Sequence, residues 1–186
     1  LNDHIRERKK KYKVRIRLYV NSNICFLEIK KKNVHGRTIK MRVQRTSEKW
    51  DSPLTDSEKD FLSERVPFAS ELSPVLYISY SRFTLAQLKR CERITLDTNL
   101  TYTTIQGEIS KPLKGLIVVE LKQTETDRRS PLFVFLRSMP ERKAQLGRII
   151  KISKYVLGRL SSDDSLSPRT YLSKLKVLRR ATKAIT

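Results

Sequence analysis

Basic side chains recur at every second position in several short stretches of this chain, with apolar side chains between them. Lys13, Arg15 and Arg17 alternate with Val14, Ile16 and Leu18, and Glu28 and Lys30 with Leu27 and Ile29. Lys40 and Arg42 alternate with Ile39 and Met41, and Arg82 follows Tyr80. Arg93, Thr95 and Asp97 surround Ile94 and Leu96, and Glu120 and Lys122 sit beside Val119 and Leu121. Arginine presents a rigid planar fork that matches phosphate oxygens, and lysine adds a mobile point charge. Glu28, Asp97 and Glu120 lie at the same parity as the bases, where a carboxylate can pair with them or take a divalent cation. A surface of this kind suits a polyanion. A sheet with one solvated face produces the same alternation. Arg and Lys dominate here over Ser, Thr and Gln, however, and the pattern returns on strand after strand, which favours a ligand.

A period of two means β-strand, because successive side chains leave opposite faces. The spacing predicts strands over 11–20, 24–32, 37–45, 75–84, 91–98 and 116–123, with a short strand over 101–106. Asn21-Ser22-Asn23 and Asn33-Val34-His35-Gly36 read as hairpin turns. Thr55 with Glu58 three residues later is a capping box, and predicts a helix from there to about residue 65. Further helices are expected over 131–137, 140–147 and 168–184. The domain reading is one barrel domain over 1–160 and a basic helical tail over 161–186.

Composition bounds the function. The chain has 186 residues, Lys+Arg 40 against Asp+Glu 19, a formal net charge of +21 and 38% hydrophobic residues. That length supports one domain with a modest core. The charge calls for an anionic partner: nucleic acid, an anionic membrane or a phosphate-rich small molecule. Cys25 and Cys91 fall in strand-like runs and read as buried reduced thiols. Leu1–Lys13 is too polar for a signal peptide, and no apolar run reaches the roughly 20 residues of a membrane span. A cytoplasmic location is therefore expected, including the cytoplasmic face of a membrane beside a membrane subunit. His4 and His35 read as solvated, and no Cys/His zinc spacing or glycine-rich phosphate loop exists. The aromatics do not interleave with the bases as a stacking ribbon would, which argues against nucleic acid.

The order of the charged motifs is itself informative. Lys13-Val14-Arg15-Ile16-Arg17, Phe26-Leu27-Glu28-Ile29-Lys30, Lys40-Met41-Arg42, Tyr80-Ser81-Arg82, Arg93-Ile94-Thr95-Leu96-Asp97-Thr98, Val119-Glu120-Leu121-Lys122 and Lys151-Ile152-Ser153-Lys154-Tyr155 follow one another. This series resembles the VTC domain, the polyphosphate-polymerase branch of the triphosphate tunnel metalloenzymes. The resemblance implies an α+β fold: an antiparallel β-barrel with flanking helices, whose lumen binds ATP and polyphosphate or triphosphate with Mn²⁺ or Mg²⁺. It assigns Arg15, Arg17, Lys30, Lys40 and Arg93 to the reacting phosphates. Arg82, Lys151 and Lys154 match further basic positions, Arg42 and Lys122 belong to the same charged set, and Glu120 matches the metal-binding carboxylate. The family's barrel begins with a strand, then a segment bearing tyrosine and aspartate, that precede the first motif found here. A barrel lacking its first strand, with six or seven strands, is therefore expected.

In such a lumen the terminal phosphate of a growing chain attacks the γ-phosphate of ATP. Alignment and charge neutralisation do most of the work. Three other readings stay open: an inorganic triphosphatase of the same fold, a non-catalytic polyphosphate-binding module and, least favoured, a basic RNA-binding protein.

Overall fold

The computed structural model describes residues 11–33, 37–108, 116–138 and 153–162. The chain divides into two compact units, Leu1–Ser73 and Pro74–Thr186.

In the first unit, β1 (Lys11–Tyr19), β2 (Ile24–Lys32) and β3 (Thr38–Arg45) form an antiparallel sheet in that order. Asn23, with φ 51°, closes the β1–β2 turn, a left-handed position that asparagine tolerates. The register aligns Arg15, Glu28 and Arg42 in one row across the sheet and Lys13, Lys30 and Lys40 in the next. The alternation therefore sorts the side chains as expected. Leu27 and Ile29 turn to the other face and are buried with Leu62 and Val66, and Tyr12, Val14, Met41, Val43 and Phe61 pack around them. Burial of each such side chain contributes about 1.5–3 kcal/mol, so this face holds the unit together. Leu62 comes from α1 (Asp56–Ser63), whose first turn carries the expected capping box: Thr55 Oγ1 accepts from Glu58 N–H and Glu58 Oε2 accepts from Thr55 N–H.

In the second unit, β4 (Leu76–Gln87), β5 (Glu92–Thr104) and β6 (Val118–Lys122) form a second antiparallel sheet, followed by α2 (Pro131–Ser138) and α3 (Lys154–Ser162). The strands expected over 91–98 and 101–106 are one strand. Ser79 pairs with Thr101 and Ser81 with Thr98, so Asn99 and Leu100 together face the single residue Tyr80. Asn99 takes φ 52° at this bulge. The extra residue shifts the parity of β5. Arg93, Thr95 and Asp97 then share a face with Leu100 and Tyr102, which pack with Leu157 of α3. At Gly158 the helix approaches so closely that a Cβ would lie 2.4 Å from both Leu76 and Tyr102.

The α+β class is as expected: the charged faces belong to two three-stranded antiparallel sheets, with no closed barrel detected among the described residues. Other expectations are corrected. Cys25 is buried, but Cys91 is exposed at the β4–β5 turn with φ 49°, where no strand neighbour covers it. The strand expected over 75–84 runs on to Gln87. The helices expected over 140–147 and 168–184 lie outside the described residues. None of the described helices is long and apolar enough to cross a membrane.

Candidate functional site

Each sheet carries a fully buried carboxylate on its central strand, on the charged face: Glu28 in β2 and Asp97 in β5. A buried charge is costly unless it is paired and hydrogen-bonded, and both are paired twice.

Glu28 accepts from Arg15 Nε at 2.9 Å and Nη2 at 2.6 Å through Oε2, and Lys40 Nζ lies 2.5 Å from Oε1. Arg15 stands directly opposite on β1, and Lys40 lies on a diagonal on β3. Burial pushes the Glu28 carboxyl up, but the hydrogen bonds and charges of Lys40 and Arg15 outweigh it, so its pKa lies below the usual 4.5. Two further bases of this face lie over aromatic rings. Arg17 sits 4.5 Å from the Tyr19 centroid and Arg42 4.2 Å from that of Phe26. Lys13 and Lys30 complete the face, so Arg15, Arg17, Lys30, Lys40 and Arg42 converge as the spacing predicts.

Asp97 accepts from Arg82 Nε at 2.5 Å through Oδ1 and from Nη2 at 2.7 Å through Oδ2, while Lys154 Nζ lies 2.5 Å from Oδ2. The Tyr80 ring lies beneath both cations, 5.2 Å from Arg82 and 5.1 Å from Lys154. Burial again pushes the carboxyl up, and Arg82 and Lys154 more than offset it, holding it below the usual 3.8. The Arg82 guanidinium is raised in turn, chiefly by its hydrogen bond to Asp97. Lys154 is the first residue of α3, which delivers it to the sheet. Lys151 lies outside the described residues.

One end of this face is open. Arg93 pairs across the ladder with Lys122, and Thr95 with Glu120. Arg93 is exposed and makes no ion pair among the described residues. Glu120 is half-exposed, and its nearest charged partner is Lys122 at 3.7 Å. Thr95 is buried between these charges, and its hydroxyl has no partner among the described residues. No three His, Cys, Asp or Glu side chains among the described residues come together in a way that could hold a metal ion. Glu120 is part of no three-ligand cluster among the described residues, which do not by themselves fit a resident divalent-metal site.

On both faces the bases outnumber the acids, and the acids that are present pin arginines and lysines in place. Three features were beyond the reach of sequence spacing: the meeting of Lys154 with Asp97, Tyr80 as a shared platform, and the orphan hydroxyl of Thr95. A helix residue and a strand residue far apart in the chain leave no periodic signal, and an orphan hydroxyl leaves none at all.

No curated protein and no solved structure matches this chain. The family model of the VTC domain matches residues 1–162, which contain every charged position described above. The VTC domain is linked to polyphosphate metabolism. With that match over most of its length, the chain belongs to the VTC-domain family.

Proposed function

We propose that this chain binds the phosphates of ATP and of inorganic polyphosphate on its charged sheet faces and transfers the γ-phosphate of ATP to a growing polyphosphate chain. The observation that supports this most is the repeated arrangement of a buried acid holding one arginine and one lysine: Glu28 with Arg15 and Lys40, Asp97 with Arg82 and Lys154. Each acid neutralises one charge and leaves the other for an anion, while it fixes where both cations stand. Preorganised cations of this kind stabilise charge that develops in phosphoryl transfer without reorganising at the moment of reaction.

In the proposed reaction a terminal polyphosphate oxygen, already anionic, forms a bond to the γ-phosphorus. The bond between that phosphorus and the bridging oxygen breaks, and ADP leaves with the electron pair. No general base is needed. Arg15, Arg17, Lys30, Lys40 and Arg93 take the reacting phosphates, and Arg42, Arg82, Lys122, Lys151 and Lys154 hold the rest of the polyanion. Mg²⁺ or Mn²⁺ enters as part of the nucleotide substrate, to which Glu120 offers one oxygen. Closure of the sheets around a single lumen, which the family resemblance implies, belongs to the same proposal.

The test is to incubate the protein with Mn²⁺ and, in separate reactions, ATP or inorganic triphosphate, then resolve polyphosphate on a gel and measure released orthophosphate. A ladder of polymer is expected. Release of orthophosphate from triphosphate without polymer would identify a triphosphatase instead, and tight binding with neither product a non-catalytic module.

A further inference from the structure

The back of the second sheet is apolar at the end near the β4–β5 turn, where Phe83, Leu85, Ile94, Leu96, Val119 and Leu121 meet across the ladder. Phe83 and Leu85 alternate with Arg82 and Thr84 along β4, so they leave by the opposite face. Both are 65% exposed, and Leu88, at the β4–β5 turn, is 86% exposed. Beside them lies α2, whose run Pro131-Leu132-Phe133-Val134-Phe135-Leu136 is apolar on every side. Phe133 is buried, but Val134 and Phe135 are 51% and 56% exposed. Leu85 and Ile94 share a shallow groove with Pro131 and Leu132, which makes strand and helix parts of one surface. Exposed apolar side chains gathered on one side in this way mark an interaction site.

Charge selects the occupant. Lys89 adjoins Leu88, Arg128 and Arg129 precede α2, and Arg137 lies in its last turn; all four are exposed. Against them stand Glu125 and Asp127, the latter tied to the backbone N–H of Arg129 at 2.8 Å. A second copy of this chain carries the same net charge of +21, and the C-terminal segment 163–186 is itself rich in Lys and Arg, so both are repelled. The most exposed leucine sits at a hairpin turn next to a lysine, a projection that suits a bilayer interface better than a peptide groove. We propose that the Phe83–Leu85–Leu88 face, together with Val134 and Phe135 of α2, docks on an anionic phospholipid surface. Apolar side chains enter the acyl boundary and the bases meet the headgroups. The charged face of the same sheet points the other way and stays free for phosphates.

Co-sedimentation with vesicles tests this, using phosphatidylcholine alone and phosphatidylcholine mixed with phosphatidylserine. The full chain is expected to bind the mixed vesicles and not the neutral ones. Leu88→Asp combined with Phe135→Asp should weaken that binding roughly tenfold or more without changing the melting temperature. Leu88→Ser alone, at the solvated turn, should weaken it in the same direction. Excess inorganic triphosphate should leave the bound fraction unchanged, because it occupies the opposite face. Three results would overturn the proposal: no binding to mixed vesicles, wild-type binding by both variants, or displacement by triphosphate, which would mean that the phosphate-binding bases make the contact. A wild-type dimer on size exclusion that Leu88→Ser abolishes would overturn it too, by assigning the face to a second copy.

Discussion

Arg82 and Asp97 stand directly opposite each other across β4 and β5 and share two hydrogen bonds, Nε to Oδ1 at 2.5 Å and Nη2 to Oδ2 at 2.7 Å. Lys154 adds α3 to the same carboxylate. One buried side chain thus ties two strands and a helix together and sets the position of two cations. Glu28 does the same for β1 and β3 through Arg15 and Lys40.

The first prediction concerns pH. Both carboxyls lie below their ordinary values in the folded chain because cations hold the ionised form, despite burial. A carboxylate with a depressed folded pKa contributes stability above its unfolded value, about 4, and that contribution disappears as pH falls toward the folded value. The melting temperature should therefore hold between about pH 7 and pH 5 and fall steeply below about pH 4. In Glu28→Gln and Asp97→Asn the baseline should be lower and the acid limb shallower. An acid limb as steep in both variants as in the wild type would show that other groups carry it.

The second concerns Arg45, which lies on the apolar face of β3. Its Nη1 donates to Glu58 Oε2 at 2.7 Å, and its remaining N–H groups donate to the carbonyls of Lys49, Ser52 and Pro53. Both side chains of the pair are buried. Arg45→Ala strands the Glu58 charge and the carbonyls of Ser52 and Pro53, while the Lys49 carbonyl keeps the Ser52 N–H and hydroxyl as donors, so urea unfolding should show a loss of about 3–5 kcal/mol. Arg45→Met with Glu58→Leu should not recover it, since the carbonyls stay unpaired. Full recovery in the double variant would mean that the ion pair alone mattered.

The third concerns the seating of α3. Gly158→Ala puts a methyl group against Leu76 and the fully buried Tyr102 ring. Overpacking of this kind costs about 1–3 kcal/mol, and thermal melts should show it. Because α3 carries Lys154, the same variant should also weaken triphosphate binding. A melting temperature equal to wild type would show that the helix gives way without cost.

The fourth separates binding from folding. Arg93 is exposed and holds no partner among the described residues, so Arg93→Ala should change stability by no more than about 0.5 kcal/mol. Loss of charge-assisted hydrogen bonds to phosphate should weaken triphosphate binding by roughly tenfold or more, measured by calorimetry. Arg15→Ala should weaken binding too, but at a cost in stability, because Glu28 would then stay buried with Lys40 alone. Unchanged affinity in Arg93→Ala would remove that residue from the site.

Much of this protein is local in origin and was legible in its residues. Alternation along 11–20, 24–32 and 37–45 determined the strands, and with them the face on which Arg15, Glu28, Lys30, Lys40 and Arg42 appear, because side-chain parity is a property of the strand itself. Thr55 and Glu58 likewise determined the start of α1, since a capping box closes within one helical turn. What the tertiary structure decided is everything that joins distant segments. The bulge at Asn99 and Leu100 fused two expected strands and brought Tyr102 to the face of Asp97, a choice made by pairing with β4 and not by β5 alone. Pairing also sorted the charged strands into two three-stranded sheets, β1–β3 and β4–β6. Packing of Leu157 and Gly158 on Tyr102 and Leu76 carried Lys154 to Asp97, and Glu58, legible as a helix cap, became as well the buried partner of Arg45. Contacts of this kind depend on which surfaces close over one another, and no spacing along the chain records that.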